Sequence, residues 1–165
     1  MDKREWQVRD EASFVACYRA SVADVFRYAA MLCGRDRSAA EDLVQDVYVQ
    51  VLRRVRDGSV RSLTIGYLTL SVRHRFLDAL KSRERETKRL QLVAQPEADD
   101  VTERLQTVDH LEYLPQRERL AMVLRYVDDL SVSGVAAAMG INKRAAETLL
   151  SRATQRLREG ELRHG

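Results

Sequence analysis

Apolar residues recur at three- and four-residue steps along most of the chain. From Glu11 to about Cys33 they are Phe14, Val15, Tyr18, Val22, Val25, Phe26, Ala29 and Leu32, a spacing that predicts an amphipathic helix with Gly34 as its C-cap. Ser38 stands three residues before Glu41, a capping box expected to open a second helix that runs to about Asp57 and stops before Gly58. Its inner stripe is Ala40, Val44, Val47, Val51 and Val55. A third helix starts near Ile65, with Tyr67, Leu68, Leu70, Val72, Phe76, Leu77 and Leu80 at its apolar positions. No stretch alternates apolar and polar residues for long enough to predict a sheet, so the expected fold is all-α.

The polar faces divide the chain further. Opposite the inner stripe of the second helix lie Asp42, Gln45, Asp46, Val49 and Arg53, an apolar residue set among acids. Such a mixture suits a partner surface, although one exposed valine on a solvated face gives the same pattern. From Arg73 to Arg89 seven basic residues face three acids, and from Glu97 to Glu112 six acids face one Arg. The second stretch, with Gln95-Pro96 at its start, reads as an acidic linker over residues 91–106 between two small helical domains, 1–90 and 107–165. The end of the second domain, Asn142 to Arg163, is basic again, with six basic residues against three acids. Two basic poles on either side of an acidic linker imply two contacts with one polyanion, or two solvated helix faces.

Residues Leu130 to Asn142 followed by a helix through Arg158 read as a helix-turn-helix. Ser131 is placed to cap a short helix, Ala136 is small where two helices meet, Gly140 suits a left-handed end, Ile141 fills the corner and Asn142 caps the second helix. On that helix Ala146, Leu149, Leu150, Ala153 and Leu157 are expected to pack inward. Lys143, Arg144, Glu147, Thr148, Ser151, Arg152 and Gln155 face outward, a set able to read base edges and hold phosphates in a major groove.

Composition narrows the classes. The chain has 165 residues, 45% hydrophobic and 32% charged, with a net charge of +3, which fits a globular protein of one or two modest cores. No uncharged run approaches the roughly 18–20 apolar residues of a membrane span, and the charged start lacks a signal-peptide core, so a cytoplasmic protein is expected. Cys17 and Cys33 lack metal-ligand spacing and read as small core residues, with a redox pair as the lesser reading. His74, His110 and His164 are far apart, and no nucleophile, metal or phosphate-loop motif is present. The expectation is a protein that is not an enzyme, with no cofactor, no metal and no small-molecule substrate.

Four blocks in order resemble the extracytoplasmic-function group of bacterial sigma factors, the promoter-specificity subunits of RNA polymerase. They are Ala40 to Val49, Tyr67-Leu68 through Asp78-Ala79-Leu80-Lys81, Leu114 to Arg119 with Leu124-Arg125-Tyr126, and the helix-turn-helix ending in Leu149-Leu150-Ser151-Arg152-Ala153. The resemblance spans about residues 11–159. It implies that Asp42, Leu43, Gln45, Asp46 and Val49 bind core polymerase, and that Tyr67, Arg73, His74, Arg75 and Lys81, with the Ser59–Gly66 loop, capture the unpaired −10 strand. It further implies that Lys143, Arg144, Glu147, Thr148, Ser151 and Arg152 read the −35 duplex. The implied partners are core RNA polymerase through its β′ clamp and β flap, promoter DNA, and an anti-sigma factor that would hold the chain off duty, in some members at the inner face of the membrane.

The chain departs from the family pattern at Tyr67, where Trp is common, at His74, where Asn is common, at Glu147 and Leu149, where basic residues are common, and at Ala146, where Val or Ile is usual. These positions make the promoter preference its own. A conventional helix-turn-helix repressor or activator, binding duplex DNA without polymerase, is the competing expectation. A helical adaptor whose basic faces meet an acidic protein is a third.

Overall fold

The structure is a computed structural model and describes residues 4–90 and 109–164. The first unit contains strand β1 (Glu5–Gln7), helix α1 (Glu11–Cys33), helix α2 (Arg37–Arg56), strand β2 (Ser62–Thr64) and helix α3 (Ile65–Leu90). The second contains a short 3-10 turn (Asp109–Tyr113), helix α4 (Gln116–Met122), a π-helical turn (Val123–Val127), helix α5 (Val132–Met139) and helix α6 (Lys143–His164). These form two compact units. The acidic linker, 91–106, lies outside the described residues.

In the first unit, the inner stripe of α2 meets the other helices as the spacing requires: Ala40, Val44, Val47, Val51 and Val55 are all buried. Leu68, Val72, Phe76, Leu77 and Leu80 bury the matching face of α3, and Phe14, Cys17, Val25 and Ala29 that of α1. Each fully buried aliphatic side chain contributes about 1.5–3 kcal/mol relative to exposure.

Several expectations are corrected. The helix opens at Arg37 with Asp36 as its cap, the carboxylate accepting from Ala39 N at 2.9 Å; Ser38 lies inside the first turn. A carboxylate at this end also meets the partial positive charge of the exposed N–H groups. Val15 and Tyr18 are each 41% exposed and Leu70 is 38% exposed, so they are not core residues. Tyr48, which the stripe omits, is buried instead, its ring edge-on to Tyr18 at 4.8 Å and to Phe14 at 6.3 Å. Its hydroxyl meets Ser21 Oγ at 2.7 Å, and Ser21 Oγ donates to the Cys17 carbonyl at 2.6 Å. Burial pushes the Tyr48 hydroxyl up to about 12, against the opposing pull of the Ser21 hydrogen bond. Cys17 and Cys33 are both buried free thiols, and burial raises the Cys17 thiol further above its ordinary value.

A small sheet is also present where none is expected. β1 pairs antiparallel with β2, Glu5 opposite Thr64, Trp6 opposite Leu63 and Gln7 opposite Ser62. Three residues are too few for an alternation to show in the sequence.

In the second unit Leu114, Leu120, Ala121, Val123 and Leu124 are buried with Val135, Ala136, Met139, Ala146 and Ala153. The carboxylate of Glu118 pairs with Arg156 at 3.0 Å, joining α4 to α6. The turn after Val127 reverses through Asp129, a non-glycine residue at φ +54°, while Arg125 donates to the Leu130 carbonyl at 3.0 Å.

Candidate nucleic-acid interface

The helix-turn-helix is shaped by local bonds at both ends of α5 and at the start of α6. Ser131 accepts from Gly134 N at 3.0 Å and caps α5. Gly140 ends that helix at φ +66°, a region costly to any residue with a Cβ. Asn142 Oδ1 accepts from Ala145 N at 2.8 Å and caps α6. Ala146 and Ala153 are fully buried and Leu149, Leu150 and Leu157 half-buried, while Lys143, Arg144, Glu147, Thr148, Ser151, Arg152 and Gln155 are exposed. The structure therefore brings all six expected −35 residues onto one open helix face. The Thr148 hydroxyl is partly engaged, donating to the Arg144 carbonyl at 2.9 Å.

In the first unit Asp42, Gln45 and Asp46 are exposed on α2, and Val49 is 49% exposed beside them. Leu43 is half-buried because it turns toward α3, where it lines a cleft of about 670 Å³. The same cleft is lined by Asp46, Gln50, Tyr67, His74 and Arg75. Two sets of residues expected to have separate duties thus meet at one place. Arg75 Nη1 donates to Asp46 Oδ2 at 3.1 Å, and Arg75 Nε to Gln50 Oε1 at 3.3 Å. Arg54 Nη1 donates to the Tyr67 hydroxyl at 2.6 Å. Arg54 and Gln50 are absent from the sequence-derived set. Their spacing from Leu43 and Asp46 along one flank of α2 is the signal that finds them.

Not every expected −10 residue shares this cleft. Arg73 is half-buried on α3, and Lys81 lies one turn beyond the cleft, in a shallower groove with Asp78, Glu84, Arg85 and Lys88.

The loop that leads into α3 is held in shape. Gly58 turns at φ +77°, the Asp57 carboxylate accepts from Ser59 N at 2.9 Å and from Ser59 Oγ at 2.5 Å, and Val60 N donates to the Arg54 carbonyl at 3.0 Å. The Ser59 hydroxyl bond, with the backbone bond, holds the Asp57 carboxyl below its usual range. Thr64 Oγ1 accepts from Tyr67 N at 3.1 Å and so caps the first turn of α3. Among the described residues no group of His, Cys, Asp and Glu is placed to hold a metal ion.

One unit carries a cleft lined by paired acidic and basic groups, and the other carries a helix-turn-helix with an open polar face, the class of unit that binds DNA. The Sigma-70 region 2 family model matches residues 17–86 and the Sigma-70 region 4 model residues 105–157. The sigma factor RpoE of Bartonella quintana, solved in complex with the anti-sigma factor NepR, is similar in structure with a TM-score of 0.51 and 22% identity, over 88% of this chain and 94% of that one. BldN in the RsbN–BldN complex is 22% identical with a TM-score of 0.36, over 91% and 92% of the two chains. CnrH, solved with the cytosolic domain of CnrY, is 17% identical with a TM-score of 0.44, over 91% and 88%. No curated protein matches the chain with significance. The chain belongs to the sigma-70 family, in its extracytoplasmic-function group, and is a promoter-specificity subunit of RNA polymerase.

Proposed function

We propose that residues 1–90 dock on core polymerase and capture the −10 strand, while residues 107–165 read the −35 duplex, with 91–106 joining them. In this reading Asp42, Leu43, Gln45, Asp46 and Val49 form the polymerase contact: carboxylates for basic groups, flanked by apolar surface for desolvated packing. Tyr67 and His74 offer flat faces to an unstacked base, and Arg73, Arg75 and Lys81 neutralise its phosphates. Lys143, Arg144, Glu147, Thr148, Ser151 and Arg152 enter the major groove. Arg reads guanine or holds phosphate, and Glu147 accepts from cytosine N4. The observation that carries this assignment is the exposure of all six of these residues on α6 behind a corner formed at Gly140 and Asn142.

The chain acts by binding and orientation, without catalysis of its own, and works in the cytoplasm. No helix among the described residues is long and apolar enough to cross a membrane. The similar RpoE is solved with an anti-sigma factor, and a protein of that class is the regulator expected here.

Transcription reconstituted from bacterial core polymerase, fragmented genomic DNA and this chain tests the proposal. New transcript starts preceded by two shared sequence elements are expected. Substitution of Arg144 or Glu147 should alter preference at the upstream element, and substitution of His74 at the downstream one. If neither changes the element assigned to it, the residue assignment falls.

A further inference from the structure

The amino-terminal strand is bonded to the segment that carries the proposed −10 capture loop. Beyond the β1–β2 ladder, Val8 N donates to the Arg61 carbonyl at 2.9 Å, extending the contact by one residue. The Ser62 hydroxyl donates to Glu5 Oε1, and Gln7 Nε2 donates to the same oxygen at 3.2 Å. Val8 and Leu63 are fully buried and Val60 nearly so, which anchors both sides of the pairing in the apolar interior. Trp6 lies directly opposite Leu63, on the same face of the small sheet.

The pairing reaches the site through Thr64. That residue is held opposite Glu5 in the ladder, and it also caps α3 by accepting from Tyr67 N. Tyr67 is fixed at its other end by Arg54. Residues 57–64 are therefore tied at one end by Asp57, Ser59 and the Arg54 carbonyl, and at the other by β1. A loop that must hold one base out of the stack discriminates only as well as its own position is fixed.

We propose that the amino-terminal segment, through Glu5, Trp6 and Val8, is a positioning element for −10 recognition: it presets the loop and the start of α3 so that the captured base is read selectively. This rests on the placement of the −10 strand at residues 59–66 with Tyr67 and His74. Glu5 and Trp6 are positioning residues and are not assigned any contact with DNA.

The test uses core polymerase with the full chain, the chain lacking residues 1–9, Glu5→Ala and Glu5→Gln, at a promoter obtained by mapping transcript starts. Each is compared on the natural promoter, on promoters with single base changes in the −10 element, and on promoters changed in the −35 element. The ratio between natural and altered −10 sequences should fall about fivefold or more for the truncated chain. It should fall less for Glu5→Ala and recover in Glu5→Gln, whose amide oxygen still accepts from Ser62. The −35 ratio should not move. A general loss of stability lowers transcription from all promoters by one factor, so an unchanged −10 ratio in the truncated chain overturns the proposal. If the truncated chain fails to fold by circular dichroism, the Glu5→Ala and Glu5→Gln pair decides by the same ratio. His74→Ala separates the two levels: if it changes the −10 ratio and the amino-terminal variants do not, this proposal alone fails, and if His74→Ala also leaves the ratio unchanged, the −10 assignment fails with it.

Discussion

Replacing Asp46 with Asn should separate stability from function. The Asp46–Arg75 pair spans 3.1 Å, with the two side chains 65% and 39% exposed respectively. An ion pair so open to water contributes about 0.2–1 kcal/mol, since solvent screening and side-chain ordering offset most of the Coulomb attraction. Arg75 keeps its bond to Gln50 in the variant, and neither group is buried, so no uncompensated charge is left inside the protein. The cost in folding should therefore stay below about 1 kcal/mol in urea denaturation. Core polymerase affinity, followed by fluorescence anisotropy of a labelled chain, should fall by about tenfold or more, because a carboxylate facing a basic partner in a desolvated contact is worth more than about 1.4 kcal/mol. Arg75→Gln should cost equally little stability and leave core affinity near that of the parent. Two results would refute the reasoning: Asp46→Asn with unchanged core affinity, or a loss of stability above about 2 kcal/mol, which would mean that the pair supports the fold.

Four further outcomes are expected. Ser21→Ala leaves the buried Tyr48 hydroxyl without its partner and should cost about 1–3 kcal/mol, whereas Tyr48→Phe removes the hydroxyl itself and should cost about 1 kcal/mol or less; a double-mutant cycle by thermal melting checks the coupling. Because the Tyr48 hydroxyl titrates near 12 in the fold, above the ordinary value of 10, its contribution is fully present below pH 10 and is lost as pH rises toward 12, and Tyr48→Phe should flatten that alkaline decline. Gly140→Ala meets no atom within 4 Å but must hold φ +66°, so it should destabilise the second unit by about 1–2 kcal/mol in denaturant titration while leaving the first unit intact. Arg144→Ala and Arg152→Ala should each weaken binding of the mapped promoter by the holoenzyme, and a variant that loses one phosphate contact should reduce the salt slope by about 0.9.

The helices were legible because their burial repeats every three or four residues over many turns, as in Val44, Val47, Val51 and Val55. The exposed face of α6 was legible for the same reason, since Ala146 and Ala153 fix which side is inward and so fix the outer set. What escaped was set by contacts distant in sequence. Asp46 and Arg75 lie 29 positions apart, and nothing local shows that the acidic and basic sets line one cleft. β1 and β2 are too short to carry an alternation and are separated by the whole of α1 and α2. Tyr48 sits beside the α2 stripe and is buried with its ring against Phe14 and Tyr18, whereas Val15, on the α1 pattern, stays exposed. The cap at Asp36 was missed because two good capping residues, Asp36 and Ser38, stand close together, and local chemistry alone does not choose between them.

The corner that precedes α6 is built from local bonds: Gly140 N and Ile141 N donate to the Ala137 and Ala136 carbonyls, and the Asn142 side chain caps α6. None of the six residues proposed to read the −35 duplex is buried, and the support beneath them comes from Ala146, Ala153 and the half-buried leucines. Evolution can therefore redraw the outer face one residue at a time at little cost to folding. Lineages carrying this scaffold are free to drift to new sets of target genes, and an engineer wishing to retarget the chain has six positions to vary before the fold begins to object.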